Sequence, residues 1–537
     1  MFTRRQFVQV AAMLTMAGGV NVAEASTSSG KVEYPGSRTL DVSQFGATGD
    51  GLTDDSAAIR TALDALANNG GGCLYFPPGT YHITDTIRVS SDNVVLMGRG
   101  STSRIKLSAV NKNGLQAFGT ASKHLANITI SDMWVELPQS GSGRCIEVGF
   151  ANGILIDRCW ATKAGDQGIS IRGGSNQVVV RGCFAWNNGH SSGGDGISVR
   201  ARLGANPGEG DINDVLISGN VCWENNLDGI DVNTNPVWNG SLRNVIVSGN
   251  VCRNNGGHGI DLKGSGSKYQ IQHVSITGNL VHNNQGAIHL LGQGSGGISD
   301  VTIVSNVVYS NASNPGIWAK EALRLVIDAN EVRESAGEGI KVEGSDAVVS
   351  NNAISKSASH GISISSSPRV TVSGNMCADN GQAASDKAGI CLQGPGCRDC
   401  TVTGNLCTDT QSEPTQAYGI REVVSADSNL IVANRVSGNA VAQLSSTGGA
   451  TLVRQNAGFV TEGRGTATIP NGVTAVAVWH GLSKAPVAHD ISLSPTNHMG
   501  EASKFWVGEI TPTYFTIYVN ADPGPSGATF AWQVGST

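Results

Sequence analysis

The chain has 537 residues, of which 71 are glycine and 16 are proline, and its 36 basic and 42 acidic residues give a net charge of −6. This length is enough for a large core and two or three domains, and a hydrophobic share of 39% argues against disorder. The acidic balance argues against a nucleic-acid-binding protein, which needs a basic face.

The N-terminus has the features of an export signal. Thr3-Arg4-Arg5-Gln6-Phe7 is followed by an apolar stretch, Val8 to Val20, and by the small-x-small sequence Ala23-Glu24-Ala25. The segment resembles the twin-arginine signal, which directs folded proteins out of the bacterial cytoplasm. We therefore predict that residues 1–25 are a cleaved signal and that the mature protein is periplasmic or secreted, with no membrane attachment. The alternative, a membrane anchor, is disfavoured because the stretch is short.

Residues 41–81 predict a helix followed by a short buried strand. Asp54 or Asp55 can cap the helix, and Gly70-Gly71-Gly72 end it. Its apolar face consists of Ile59, Ala62, Leu63 and Leu66. The segment resembles the opening of pectate-lyase-like right-handed β-helices, in which such a helix caps the first coil. This resemblance implies the fold and leaves the substrate open.

A repeat with a mean spacing of about 28 residues continues to about residue 455. The phrase Gly-Ile-x-Val/Leu-x recurs, with variations, from Gly168 to Val423, and Ile169 and Ile420 are nine steps apart. A second phrase, an asparagine after a β-branched strand, keeps the same phase. Its members are Asn220, Asn250, Asn279, Asn306, Asn351, Asn375, Asn405 and Asn434.

The repeats predict an all-β solenoid. Each contains two or three short alternating strands separated by Gly and Asn, with no amphipathic helix. Such strands stack in parallel, and parallel crossovers are right-handed. We therefore predict a right-handed parallel β-helix over residues 38–457. Asparagine at the turns is expected to adopt left-handed backbone and to hydrogen-bond along the stack. The recurring cysteines Cys159, Cys183, Cys222 and Cys252 are expected to stack inside as small apolar groups, and the Cys397–Cys400 pair is a poor candidate for zinc.

Residues 458–537 lose the repeat and gain aromatic residues. Their alternating runs predict a small antiparallel β-sandwich. Three roles stay open for its aromatic residues: glycan binding, trimerisation of the chain, or simple core packing.

The candidate site follows from stacking the repeat phrases. Because Ile and Val point inward, the intervening residues form columns on one outer face. Titratable groups gather there between residues 195 and 343, which makes this face the default site. The proposed catalytic residues are Asp195, Asp228, Asp231, His258 and Asp261. The proposed substrate-binding residues are Arg172, Arg200, Lys263, His289, Trp318, Lys320, Lys341 and Glu343.

Three consecutive coils carry GGDGI, NLDGI and GGHGI. They resemble the polygalacturonase-like hydrolases, whose coils carry N-T-D-G, D-D and G-H-G, and this resemblance matches Asp195, Asp228 and His258 to the family's acids and histidine. Leu227 stands where the family has another Asp, and His289-Leu290-Leu291 replaces its R-I-K. The coils also resemble those of mannuronan epimerases, but ISVRAR at 197–202 replaces the Asp-Pro-His-Glu those enzymes carry.

We therefore expect hydrolysis of a glycosidic bond in an acidic polysaccharide, with no cofactor. Asp228 is the expected acid, Asp195 or Asp231 its partner, and His258 a group that orients a carboxylate. Because the columns face outward, we expect these side chains to line an open trough. Trp318 is expected to offer a stacking face to a sugar, and the basic residues to hold its carboxylates.

Two alternatives remain. A lyase would use a base such as Lys263 or His289 for β-elimination on a uronate polymer, with Ca²⁺ held by Asp231, Asp261 or Glu343. A non-catalytic protein resembling a phage tail spike would only bind glycan through the same face.

Overall fold

A computed structural model describes residues 38–535 except 191–192, 203–207, 235–239, 266–269, 294–296, 345 and 424. The predicted signal, residues 1–25, lies outside the described residues. Three long parallel sheets, here called A, B and C, run the length of the repeat region, and a complete coil contributes one strand to each sheet in that order. This architecture confirms the right-handed parallel β-helix. Within the described ranges, no helix is long and apolar enough to cross a bilayer.

Sheet A contains the strands Thr39–Asp41, Gly72–Tyr75, Val94–Met97, Leu125–Ser131, Ala151–Asp157, Asn176–Arg181, Ile212–Ser218, Leu242–Ser248, Ile271–Thr277, Ile298–Val304, Ala322–Asp328, Ala347–Ser350, Thr371–Ser373, Thr401–Thr403, Leu430–Val432 and Leu452–Arg454. Sheet B contains Asp50–Asp54, Gly79–Ile83, Ser103–Leu107, Trp134–Glu136, Trp160–Thr162, Phe184–Trp186, Val221–Trp223, Val251–Arg253, Leu280–His282, Val307–Tyr309, Glu331–Arg333, Ala353–Ser355, Met376–Ala378, Leu406–Thr408 and Arg435–Ser437. Sheet C contains Ile87–Val89, Leu115–Phe118, Ile146–Gly149, Ile169–Arg172, Ile197–Arg200, Ile230–Asn233, His258–Ser265, Gly286–Gln293, Ile317–Lys320, Ile340–Glu343, Ile362–Ser365, Ala388–Gln393, Tyr418–Glu422 and Ala442–Ser445.

The predicted helix spans Ser56–Ala67, and a short 3₁₀ helix, Val42–Phe45, precedes it. At the start of the helix, Asp54 Oδ1 accepts a hydrogen bond of 3.0 Å from the Ser56 amide. Asp55 instead accepts from the Thr48 amide at 2.7 Å, which ties the preceding loop to the helix. The predicted apolar face is buried against the first coils of the β-helix core.

The core runs along the whole β-helix because equivalent residues of successive coils stack on one another. Cys222 pairs in register with Cys252 in sheet B, and both are buried, as are Cys159 and Cys183. All eleven cysteines are free thiols. The predicted role of this column as small apolar filling is confirmed.

The predicted asparagines form a buried ladder between sheets A and B. Asn250 donates from Nδ2 to the Ile217 carbonyl at 3.0 Å and to Asn279 Oδ1 at 3.0 Å, and its own Oδ1 accepts from the Asn220 amide at 2.9 Å. The prediction that these asparagines adopt left-handed backbone is wrong for all of them except Asn351, because the left-handed residue is the one before each ladder asparagine, as Gly249 is at φ 63°. In one coil the ladder residue is Asn352, while the predicted Asn351 is the left-handed residue.

The C-terminal region contains two three-stranded antiparallel sheets. One consists of Glu462–Ile469, Ile491–Pro495 and Ala528–Gly535, and the other of Ala475–Trp479, Phe505–Gly508 and Tyr514–Val519. A 3₁₀ helix, Ala488–Asp490, precedes the strand at Ile491. A separate hydrophobic cluster that includes Phe515 and Phe530 lies between the two sheets.

Candidate functional site on sheet C

The predicted columns are in register on the outer face of sheet C. One column stacks Ser198, Asp231, Asp261, His289, Trp318 and Lys341, and a parallel column stacks Arg172, Arg200, Asn233, Lys263, Leu291, Lys320 and Glu343. A third column precedes the strands and contains Asp195, Asp228 and His258, whose carbonyls accept from the glycine amides of the preceding coil. The sequence therefore places these residues on one face, as predicted.

The prediction of an open trough is wrong. Asp195, Asp231 and Asp261 are 0% exposed and Asp228 is 4% exposed. The carboxylates are buried because the long side chains of Arg200 and Lys263 extend from the neighbouring column and cover them. The side chain of Lys263 is 38% exposed, so the solvent-facing layer of the site is cationic. We call the eight residues involved the sheet C cluster: Asp195, Arg200, Asp228, Asp231, His258, Asp261, Lys263 and His289.

Arg200 joins two of the buried carboxylates. Its Nη2 donates to Asp195 Oδ2 at 2.8 Å and its Nε donates to Asp231 Oδ2 at 2.8 Å. The Ser198 hydroxyl also donates to Asp231 Oδ2, at 3.2 Å. Burial, together with the nearby charge of Asp231, raises the pKa of Asp195 well above its ordinary value. Burial also raises the pKa of Asp231, against the opposing charges of Arg200 and Lys263.

Lys263 contacts three carboxylates, one of which, Asp231, also binds Arg200. Its Nζ lies 3.2 Å from Asp228 Oδ2 and 3.8 Å from Asp231 Oδ1, and it forms a closer ion pair with Asp261. Burial opposes the charge of Lys263, but the three carboxylates outweigh burial and raise the pKa of its amine above the ordinary value. The ammonium is therefore a fixed cation at the centre of the cluster.

Two imidazoles share the carboxylate of Asp261. His289 Nδ1 is 3.0 Å from Asp261 Oδ1, and His258 Nδ1 is 3.3 Å from Asp261 Oδ2 and 3.6 Å from Asp228 Oδ1. The rings stack with centroids 4.5 Å apart and planes inclined by 18°. In the described part of the chain, the Nε2 atom of each ring has no hydrogen-bond partner.

These contacts fix the charge of His258. Burial acts to lower its pKa, but the carboxylates of Asp228 and Asp261 outweigh burial and raise the pKa of His258 to about 9. Burial acts to raise the pKa of Asp261. His258, His289 and Lys263 outweigh burial and hold this pKa well below its ordinary value. At neutral pH the site thus contains an imidazolium next to a carboxylate.

Asp228 is not placed as the general acid that the sequence suggested. Its Oδ1 accepts from the His258 amide at 2.7 Å and its Oδ2 faces Lys263, so both oxygens already act as acceptors. In the coil before, Asp195 Oδ1 accepts in the same way from the Asp228 amide at 3.3 Å. These two aspartates therefore connect successive coils as well as balancing the cations.

Two glycines that sequence reasoning missed make room for the cluster. A Cβ atom at Gly257 would lie 2.3 Å from Asp228 Oδ1, and one at Gly286 would lie 2.2 Å from His258 Cδ2. Gly286 occupies the column position after His258, so its lack of a side chain leaves the space that the imidazole fills. The glycines of GGHG and QGAI gave the only sequence signal for this space.

Four predicted binding residues lie at the ends of the cluster rather than within it. Arg172 is buried one coil earlier, 3.8 Å from Glu147, and burial lowers its pKa to about 10. Lys320 and Lys341 pair with Glu343 at 3.8 and 3.3 Å.

Trp318 follows His289 in the same column. His289 lies against its ring at 4.9 Å between centroids, and Lys341 Nζ lies over the ring at 5.3 Å. The prediction of a free stacking face at Trp318 is therefore not supported.

The oxygens that would hold Ca²⁺ already have a cation. Asp228, Asp231 and Asp261 bring carboxylate atoms within 4.8 Å of one another, which is a suitable donor set for a hard cation. Lys263, however, contacts all three carboxylates and supplies the positive charge there. The residues therefore fit an internal ammonium better than Ca²⁺.

Comparisons with known families agree with the fold. Residues 39–129 match the family model described as rhamnogalacturonase A/epimerase, pectate lyase-like, and residues 294–458 match the model for a right-handed β-helix region. Over these two segments the chain is similar to pectate-lyase-like right-handed β-helices, and the three-sheet architecture agrees with these matches.

Curated relatives match only a short part of the chain. It is 45% identical over 65 residues to the mannuronan C5-epimerase AlgE6 of Azotobacter vinelandii, which covers 11% of this chain and 7% of that protein. It is 42% identical over 65 residues to alginate lyase 7 of the same organism, covering 11% and 8%. The match thus spans less than a tenth of the length of these relatives. Among solved structures, the tailspike protein gp49 from Pseudomonas phage LKA1 has a TM-score of 0.59 and 13% identity, covering 92% of this chain and 99% of that one, which shows the fold alone.

Proposed function

We propose that the chain is an enzyme that cleaves an anionic, uronate-containing polysaccharide at the sheet C cluster, by β-elimination. The observation that supports this proposal is the order of charges: cationic Lys263, Arg200 and His258 cover carboxylates that are buried. A uronate carboxylate that approaches this face first meets cations, whereas hydrolysis by two carboxylates needs acids free to act on the sugar, and each carboxylate of the cluster is paired with Arg200 or Lys263. The short matches to a mannuronan epimerase and an alginate lyase agree with a uronate substrate.

The two imidazoles supply the proton transfers that elimination requires. Both Nε2 atoms are buried in the free protein, so substrate binding must first move the covering side chains aside. His289 Nε2 then takes the C5 proton of the uronate, the electrons of that C–H bond form the C4–C5 double bond, and the C4–O bond breaks. His258, protonated at neutral pH, donates its proton to the leaving O4. Lys263 neutralises the uronate carboxylate, which lowers the cost of the carbanion-like transition state. The two rings then exchange protons with water to restore the starting state.

The test is an assay of the purified protein against alginate, polygalacturonate, a glycosaminoglycan and a neutral glucan. Each reaction is measured for reducing ends and for the ultraviolet absorbance of the new C4–C5 double bond. Elimination produces both signals, on an acidic polymer only. Reducing ends without the absorbance identify hydrolysis, a changed uronate configuration without new ends identifies epimerisation, and no change with any polymer leaves only binding; each of these three results overturns the proposal.

A further inference from the structure

The outer face of the second C-terminal sheet has an unusual composition. Alternation along its strand Tyr514–Val519 points Phe515, Ile517 and Val519 into the domain core, and it points Tyr514, Thr516 and Tyr518 outward. The neighbouring strands add Trp479 and Trp506 to this outer face, and these side chains are 71% and 48% exposed. Large apolar side chains gathered on one exposed face are typical of an interaction site or a ligand-binding groove.

The aromatic residues form two separate rows across the sheet. Trp479 pairs in register with Tyr514, with ring centroids 5.5 Å apart, and Trp506 pairs with Tyr518, with centroids 5.7 Å apart and nearly parallel planes. Tyr514 and Tyr518 are four residues apart in one strand, so the rows are separated by roughly 14 Å. The row between them contains Ala477, Thr516 and Gly508, and we call this strip between the aromatic rows the groove. Ala477 is exposed, whereas Thr516 is only 6% exposed.

A carboxylate lies at one edge of this groove. Glu509 Oε1 accepts from the Tyr514 hydroxyl at 2.8 Å, and Glu509 Oε2 accepts from the Thr516 hydroxyl at 3.4 Å. Each oxygen keeps a lone pair for another donor. The groove therefore combines aromatic walls, a shallow floor and hydrogen-bond acceptors.

We infer that this groove is a second, non-catalytic binding site for a polysaccharide chain. Aromatic rings contact the C–H faces of sugar rings, and a carboxylate accepts hydrogen bonds from sugar hydroxyls. The exposed area favours a glycan over a second copy of the chain: the two tryptophans expose roughly 300 Å² between them, whereas a stable protein interface buries about 800 Å² on each partner. The inference does not depend on the reaction at the sheet C cluster.

The experiment compares the full chain with the double variant Trp479→Ala/Trp506→Ala by electrophoresis through gels that contain alginate, polygalacturonate, xylan or dextran. Val487→Ala is the matched control, because it removes an exposed apolar side chain of the same domain that is not on this face. We expect the wild type and the control to be retarded by at least one polymer. The double variant should bind that polymer at least tenfold more weakly, with the same thermal unfolding temperature.

Two further measurements keep the outcome clear. The double variant should keep the wild-type initial rate on a short uronate oligosaccharide, because neither tryptophan belongs to the sheet C cluster, so failure of the proposed reaction and failure of this site are distinguishable. Sedimentation of all variants tests the alternative that a second copy of the chain, rather than a glycan, binds at this groove. Equal retardation of the double variant and the wild type, no retardation of the wild type on any polymer, or an assembled wild type that the tryptophan substitutions dissociate would each overturn the inference.

Discussion

The carboxylate of Asp261 lies between two stacked imidazoles, with Oδ1 3.0 Å from His289 Nδ1 and Oδ2 3.3 Å from His258 Nδ1. One carboxylate thereby orients both rings, and both Nε2 atoms lack a hydrogen-bond partner among the residues that the structure describes. A buried ring nitrogen without a partner costs stability, and such costs are concentrated at functional sites.

His258→Gln and His289→Gln should each lower turnover by roughly 100-fold or more, because each removes a group that transfers a proton. His360→Gln is the matched control: His360 is also buried at a coil turn before a sheet C strand, but its Nδ1 accepts from the Ala388 amide at 2.9 Å. Initial rates of absorbance change on a uronate polymer provide the measurement. Equal losses in all three variants would show that the imidazoles of the cluster have only a structural role.

Activity should fall as the pH rises through about 9. His258 is raised from its ordinary pKa of 6.5 to about 9, so its acidic form predominates at neutral pH and disappears above that value. Because the pKa of His258 is higher in the folded protein, its protonation also stabilises the fold. This contribution to the free energy of unfolding is complete below pH 6.5 and is lost as the pH rises through about 9. A pH profile of kcat, alongside unfolding in denaturant at pH 7 and pH 10, measures both effects. Turnover that keeps rising above pH 9 would contradict the role of His258 as the acid.

Lys263→Ala should make the chain sensitive to Ca²⁺. Removing the ammonium leaves Asp228, Asp231 and Asp261 without their shared cation, which should lower the free energy of unfolding by about 2 kcal/mol after allowance for the partly exposed lysine. Millimolar Ca²⁺ should restore part of this loss, whereas chelators and Ca²⁺ should leave the wild type unchanged. Lys320→Ala, in the same column, is the control. A wild type inactivated by a chelator would show that Lys263 does not replace a metal.

The sequence was a good guide to register and a poor guide to burial. The repeat period places Asp231 next to Asp261 because parallel strands stack at a fixed spacing, so the columns could be read from the phrases alone. Whether a column residue faces water depends on where the long side chains of Arg200 and Lys263 fold, and that depends on the charges of neighbouring coils rather than on alternation. The left-handed backbone position was also misassigned, because Asn and the residue before it are both suited to turns.

Gly286→Ala tests the space that the sequence did not reveal. The new methyl group would overlap the His258 ring, which must rotate away from Asp261 and His289. We expect turnover to fall at least tenfold while the midpoint of thermal unfolding shifts only slightly. Gly449→Ala is the control, because a Cβ atom at that position meets no atom within 4 Å. Full activity in Gly286→Ala would mean that the position of the imidazole is not critical.

Asn250→Ala should be among the most destabilising single changes in the β-helix, because the Asn250 side chain satisfies two backbone groups of the preceding coil. Its loss leaves the Ile217 carbonyl and the Asn220 amide buried without partners, and we expect a cost of about 3 kcal/mol. Asn176→Ala is the control: Asn176 also bonds its column neighbours, donating to Asn152 Oδ1 at 3.0 Å, but it is only partly buried, and water can replace its bonds. Its substitution should cost less than about 1 kcal/mol. Chemical denaturation of both variants gives the comparison. Equal losses in the free energy of unfolding would show that a buried ladder bond contributes no more stability than a partly exposed one. The recurring asparagine would then be required for the conformation of the turn and not for the stability of the β-helix.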